Sequence, residues 1–166
     1  MRPQRIARVC LWFSLILGMV AVPGVRCAFA NDCPLKMALT VKDTQDGFAG
    51  TTGTVWTIKP DCTFRVSRLF NQKVTEPYRE GRLTPEQQAR LSEILTKDAM
   101  AGLPAQLGEA PQVNARRITV EYGGKVSVLS LAPGDRDLRV LQERNALDPS
   151  RRLLEVAMAV KEMLGS

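Results

Sequence analysis

Histidine is absent from all 166 residues, and with it the commonest general base and the usual activator of a serine or cysteine nucleophile. Aromatic residues are few, at two Trp, two Tyr and five Phe. No long basic stripe interleaves with them in the way a phosphate backbone requires, so nucleic acid is not an expected partner. Internal repeats and low-complexity linkers are also lacking. Beyond residue 30 no apolar run is long enough to cross a bilayer, which needs roughly 18 to 20 residues.

The amino terminus is built differently. Arg2, Arg5 and Arg8 precede an apolar run from Val9 through Val22, and a small-residue site follows at Ala28-Phe29-Ala30. This is the three-part pattern of a secretory signal cleaved after Ala30. The apolar core of about fourteen residues is too short for a permanent anchor, and Arg26 occupies the place before Cys27 where a lipoprotein signal needs a small residue. The expectation is therefore a signal over residues 1–30 and a single domain over 31–166, secreted or periplasmic, with no stable membrane insertion after cleavage.

Cleavage changes both charge and cysteine content. The signal holds four arginines and no acid, so the formal charge falls from +6 to +2, with 19 basic and 17 acidic side chains intermixed in the remainder. Cys10 and Cys27 leave, and Cys33 and Cys62 stay. An even pair in an exported protein reads as one disulfide. Two free buried thiols are the alternative, and a two-ligand metal site finds no histidine to complete it. No metal and no cofactor is expected.

Apolar periodicity sorts the rest into elements. Leu35, Met37, Leu39 and Val41 alternate with Lys36, Ala38, Thr40 and Lys42, which predicts a strand with one buried face. A loop containing Gly47, Gly50 and Gly53 leads to a second strand at Thr54–Ile58, and Thr63–Val74 reads as a third. Thr84, Pro85 and Gln87 form an N-cap, first helical position and capping box, with Leu91, Ile94 and Leu95 as the buried stripe. Arg117–Tyr122 and Lys125–Leu131 flank Gly123-Gly124, a two-residue hairpin signal. A second helix starts at Asp148-Pro149, where Leu153, Val156, Ala157, Val160, Met163 and Leu164 recur at helical spacing. The expected fold is α+β in two layers, an antiparallel sheet of about five strands with two helices packed on one face, in the order βββαββα.

If the first hairpin folds about Gly47 and Phe48, paired residue numbers sum to about 95. That register sets Leu39 opposite Trp56 and Met37 opposite Ile58 on the buried face, and sets Cys33 opposite Cys62, within reach of a disulfide.

Nothing in the chain makes a convincing active site, and an enzyme is not expected. Asp135 with Asp137 and Glu76 with Glu80 are carboxylate pairs, but each lies in a polar stretch rich in turn residues and reads as solvated loop charge. The segment that stands out is Gly47-Phe48-Ala49-Gly50, a large apolar residue between glycines at the tip of the first hairpin. The simpler expectation is that Phe48 folds back as a lid over the sheet edge. The alternative makes these four residues a partner-binding tip that inserts into another protein's groove.

At these residues a resemblance enters. The alternating first strand, Gly47-Phe48-Ala49-Gly50, the Trp-containing second strand, the Leu83-Thr84-Pro85-Glu86 helix start, Leu103-Pro104-Ala105 and a late hairpin followed by a closing helix resemble the emfourin family over roughly residues 35 to 164. Emfourins are small protein inhibitors of thermolysin-like metallopeptidases such as protealysin. Asp46 stands where the family pattern has its first glycine. The resemblance implies an α+β inhibitor that occludes a peptidase cleft without being an enzyme. An exported interaction module with no inhibitory activity is the other reading.

Overall fold

The computed structural model describes residues 33–95, 102–109, 113–132, 138–144 and 148–165. The expected signal segment lies outside them, and residues 31–166 form one compact unit.

The sheet is larger than expected. Strands β1 (Leu39–Gly47), β2 (Gly50–Ile58) and β3 (Thr63–Phe70) form an antiparallel meander, and β3 also pairs with two short strands, β4 (Lys73–Val74) and β5 (Arg79–Arg82). On the other side of β1 come β7 (Arg116–Tyr122), β8 (Lys125–Leu131) and the two-residue β6 (Gln106–Leu107), which runs parallel to β8. The order is β4-β3-β2-β1-β7-β8-β6, with β5 also on β3. Helices α1 (Pro85–Ile94), α2 (Leu138–Arg144) and α3 (Asp148–Leu164) complete the domain. The expected antiparallel sheet of about five strands with two helices is therefore corrected, among the described residues, to a mixed sheet of eight strands with three helices. The added strands are two to four residues long, and nearly all their side chains are exposed, so no buried alternation marks them.

One core joins these elements. Period-two alternation sends Leu39 and Val41 of β1, Trp56 and Ile58 of β2, Phe64 and Val66 of β3, and Ile118 and Val120 of β7 to one face. Helix α3 lies across β1, β2, β7 and β8, and α1 and α2 pack on α3. Its Leu153, Val156, Ala157, Val160, Met163 and Leu164 are buried, as the helical spacing predicts, and Leu154 is buried with them. Helix α1 starts as read from the sequence, with Thr84 and Gln87 exchanging both capping-box bonds.

The carboxyl end of α3 is gripped from three elements. Gln87 Nε2 donates to the Met163 carbonyl at 2.8 Å, Arg79 Nη1 to Leu164 at 2.6 Å and Trp56 Nε1 to Gly165 at 2.7 Å. These bonds satisfy carbonyls that a helix end leaves without intrahelical donors.

The first hairpin has a register two residues away from the expected one. Leu39 lies opposite Ile58 and Val41 opposite Trp56, so pairs sum to 97, because the turn is the two-residue Phe48-Ala49 closed by Gly47 and Gly50. A slip of two keeps every side chain on its expected face. Strand β1 begins at Leu39 rather than Leu35, and Met37 is half exposed instead of buried. Cys33 and Cys62 nevertheless form a disulfide, with Cα atoms 5.4 Å apart. The chain before Leu39 has left the ladder, and the Pro60-Asp61 turn brings Cys62 back with φ +62°.

Among the described residues no helix is long and apolar enough to cross a membrane.

Candidate functional site

The segment Gly47-Phe48-Ala49-Gly50 projects from the end of the sheet opposite the disulfide. Gly47 and Gly50 are the last register pair, and Gly50 takes φ +104°, a conformation that a residue with a Cβ resists. Phe48 does not fold back over the sheet edge. It is fully exposed, at 112 % of its reference accessibility, and both neighbours in the turn region, Gly47 and Ala49, are exposed as well. An aromatic side chain held entirely in water at a loop apex contributes nothing to the core.

The turn is braced from both sides by residues that hydrophobic pattern does not reveal. Asp46, which precedes it, accepts a hydrogen bond from Thr51 Oγ1 across the hairpin at 2.7 Å and another from Arg117 Nη1 of β7 at 2.6 Å. Its own N–H donates to the Ala115 carbonyl at 2.8 Å, and Gln45 Nε2 donates to Asn114 O at 2.6 Å. On the other flank Asn71 N–H donates to Thr51 O at 2.8 Å, and its side chain fills the space beside Gly50. Asn71 and Gln72, which turn β3 into β4, both have positive φ, as does Asn114. Three loops with locally costly backbone thus meet at this end of the sheet.

The same end carries further exposed apolar side chains. Phe70 and Val74 flank the Asn71-Gln72 turn and Val113 sits in the loop before β7, each at least half exposed. Phe70 is opposite Thr52 of β2, which places it beside the hairpin that bears Phe48. The sequence signal for this grouping is weak, since the residues are far apart in the chain and only the register unites them.

Behind the tip lies a half-buried charge cluster. Asp43 accepts bonds from Arg116 Nε and Nη2 at 2.9 and 2.7 Å, and Lys161 Nζ of α3 stands 3.4 Å away. Burial pushes the Asp43 carboxyl up, but the Arg116 hydrogen bonds and charge, with Lys161, outweigh it and hold the group below the usual carboxylate range. This cluster ties β1, β7 and α3 together under the braced hairpin.

Glu76 is exposed between β4 and β5, and Glu80 faces Arg65 across β5 and β3 at 3.5 Å, both side chains in solvent. Asp135 and Asp137 lie outside the described residues. A groove of about 510 Å³ runs along Lys59, Asp61, Phe64, Arg65 and Glu80 near the disulfide end, remote from the tip. Among the described residues no three His, Cys, Asp or Glu side chains come together as a metal site.

Neither a protein-family model nor a curated protein matches this chain.

Proposed function

We propose that this protein is an exported binding protein that inhibits a thermolysin-like metallopeptidase by placing the Gly47–Gly50 tip in its active-site cleft. The observation that carries the reading is Phe48, a large apolar side chain held fully in water on a two-residue turn whose backbone is braced on both flanks. A peptidase cleft accepts an apolar side chain together with a short stretch of extended backbone. A tip already fixed by Asp46, Thr51, Arg117 and Asn71 loses little conformational freedom on entering it. The Cys33–Cys62 bridge closes the root of the same hairpin and fits an oxidising compartment outside the cytosol. Inhibitor chemistry asks nothing of the chain's own acids or bases, in keeping with its lack of histidine.

The test is to titrate residues 31–166 against a thermolysin-like peptidase, with papain-like and serine peptidases as controls. Selective inhibition of the metallopeptidase is expected, and Phe48→Ala weakens it about tenfold or more, as removal of an interface anchor does. Equal inertness toward all three peptidases would remove the inhibitor reading.

A second reading is supported by the spread of Phe48, Phe70, Val74 and Val113 in and beside three turns. A surface that wide suits an interaction module docking on a broad protein face rather than a narrow cleft, and a partner isolated from the exported proteins that is not a peptidase would favour it.

A further inference from the structure

Charge on the sheet is lopsided. From Arg65 to Arg82 five basic side chains stand against two acidic ones, whereas the remainder of residues 31–166 holds 14 basic and 15 acidic. The net positive charge of the domain therefore sits on β3, β4, β5 and their turns, at one margin of the sheet. Arg79 is engaged with the Leu164 carbonyl and Arg65 with Glu80. Arg68, Lys73 and Arg82 have no ion-pair partner among the described residues.

These cations alternate with exposed apolar groups. Phe70, Val74 and Tyr78 are each about half exposed, and the Arg68 guanidinium lies 5.7 Å from the centre of the Tyr78 ring. Lys73 is opposite Phe70 in the register, and Phe70 is opposite Thr52, two residues from Gly50. The cationic margin is thus continuous with the Phe48 tip on its β3 side. On its β7 side the tip is bordered by Val113 and Asn114, and the nearby Arg116 and Arg117 are held by Asp43 and Asp46.

Resting on the inhibitor reading, we infer that the target is an acidic protein whose apolar pocket has carboxylates along one rim. Phe48 enters the pocket while Arg68 and Lys73 meet that rim. Unpaired cations grouped beside an apolar anchor steer encounter with an oppositely charged partner and fix its orientation. The one-sided placement fits a one-sided acidic rim, whereas a uniformly anionic plane such as a lipid surface would be met by cations on both sides of the tip.

The experiment measures inhibition of a thermolysin-like peptidase by residues 31–166 at low and at high salt, with folding of each variant checked by circular dichroism. The double variant Arg68→Glu, Lys73→Glu is expected to bind about tenfold more weakly at low salt, chiefly through slower association, with the difference shrinking as salt screens the charges. Phe48→Ala weakens binding at both salts, and Lys36→Glu, at the disulfide end, changes nothing. Should the double reversal unfold the domain, Lys73→Gln reads the same effect at smaller size. A wild-type chain that inhibits, with the reversal variant behaving like Lys36→Glu, would overturn the acidic rim and leave the inhibitor reading standing. No inhibition by the wild-type chain would overturn both. Co-sedimentation with phosphatidylglycerol-containing vesicles that the double reversal abolishes would assign the cations to a membrane and also overturn the proposal.

Discussion

The side chain of Asn71 occupies the place that a Cβ on Gly50 would take. Two hairpin turns, one at the apex of β1 and β2 and one between β3 and β4, are thereby interlocked at a position where only glycine fits. Gly50→Ala meets two obstacles, a left-handed φ of +104° and the Asn71 carboxamide. We expect it to destabilise the domain by roughly 1–3 kcal/mol and to displace the tip. Adding Asn71→Gly removes the overlap but not the backbone strain, so a double-mutant cycle in denaturant unfolding should recover part of the loss. Full additivity of the two changes would show that the turns are not interlocked.

Phe48→Ala, by contrast, should leave stability within about 0.5 kcal/mol of the parent, because a fully exposed side chain buries no area on folding. Thermal unfolding checks this directly. A large drop would place Phe48 in the fold rather than at a binding tip.

Acid stability reports on Asp43. Its folded pKa lies below the ordinary value because Arg116 and Lys161 outweigh burial. The unfolded chain therefore takes up this proton first, and the contribution is complete above the unfolded pKa and is lost as pH falls through the lowered folded value. Urea midpoints for the wild-type protein should fall over that acid window, and Asp43→Asn should flatten the corresponding part of the curve. Near neutral pH the same variant costs roughly 2–3 kcal/mol, since the guanidinium of Arg116 loses the carboxylate that both its Nε and Nη2 bond. An unchanged acid slope would assign the pH dependence to other groups.

Much of this architecture was legible in the residues. Thr84, Pro85 and Gln87 announce α1, Gly123-Gly124 announces the turn between β7 and β8, and the spacing from Leu153 to Leu164 announces α3, because each carries a strong local signal. The edge strands carried none. Arg79-Glu80-Gly81-Arg82 has no apolar side chain and becomes a strand by pairing with Thr63–Val66, where Gly81 leaves room for the Phe64 ring. Helix α2 falls in a stretch between β8 and α3 to which the apolar pattern assigns no element. The two-residue offset in the first hairpin arose from the turn itself, since Gly53 reads as loop but lies within β2 opposite Thr44. Of the candidate site, Phe48 was visible and its braces were not. Asp43 and Asp46 recur at strand spacing from Leu39 and Lys42 only as polar letters, and their partners Arg116 and Arg117 are about seventy residues away.

Removing the bridge at the root should be costly and should spare the tip. The Cys33–Cys62 bond spans 29 residues and stabilises by about 3 kcal/mol if it acts by restricting the unfolded chain. Cys33→Ser with Cys62→Ser should lower the denaturant midpoint accordingly, and reductant should do the same to the wild-type protein. Phe48-dependent binding should persist wherever the variant remains folded. Loss of binding in a folded variant would mean that the bridge reaches the apex.

The three donors that grip Met163, Leu164 and Gly165 impose an order on how this chain matures. Trp56, Arg79 and Gln87 all precede the segment they hold, by 76 residues or more. A polypeptide emerging amino end first displays the sheet's greasy side, Trp56 included, until α3 arrives to cover it. A chain halted before α3 is then a sticky half-product, its apolar sheet face uncovered.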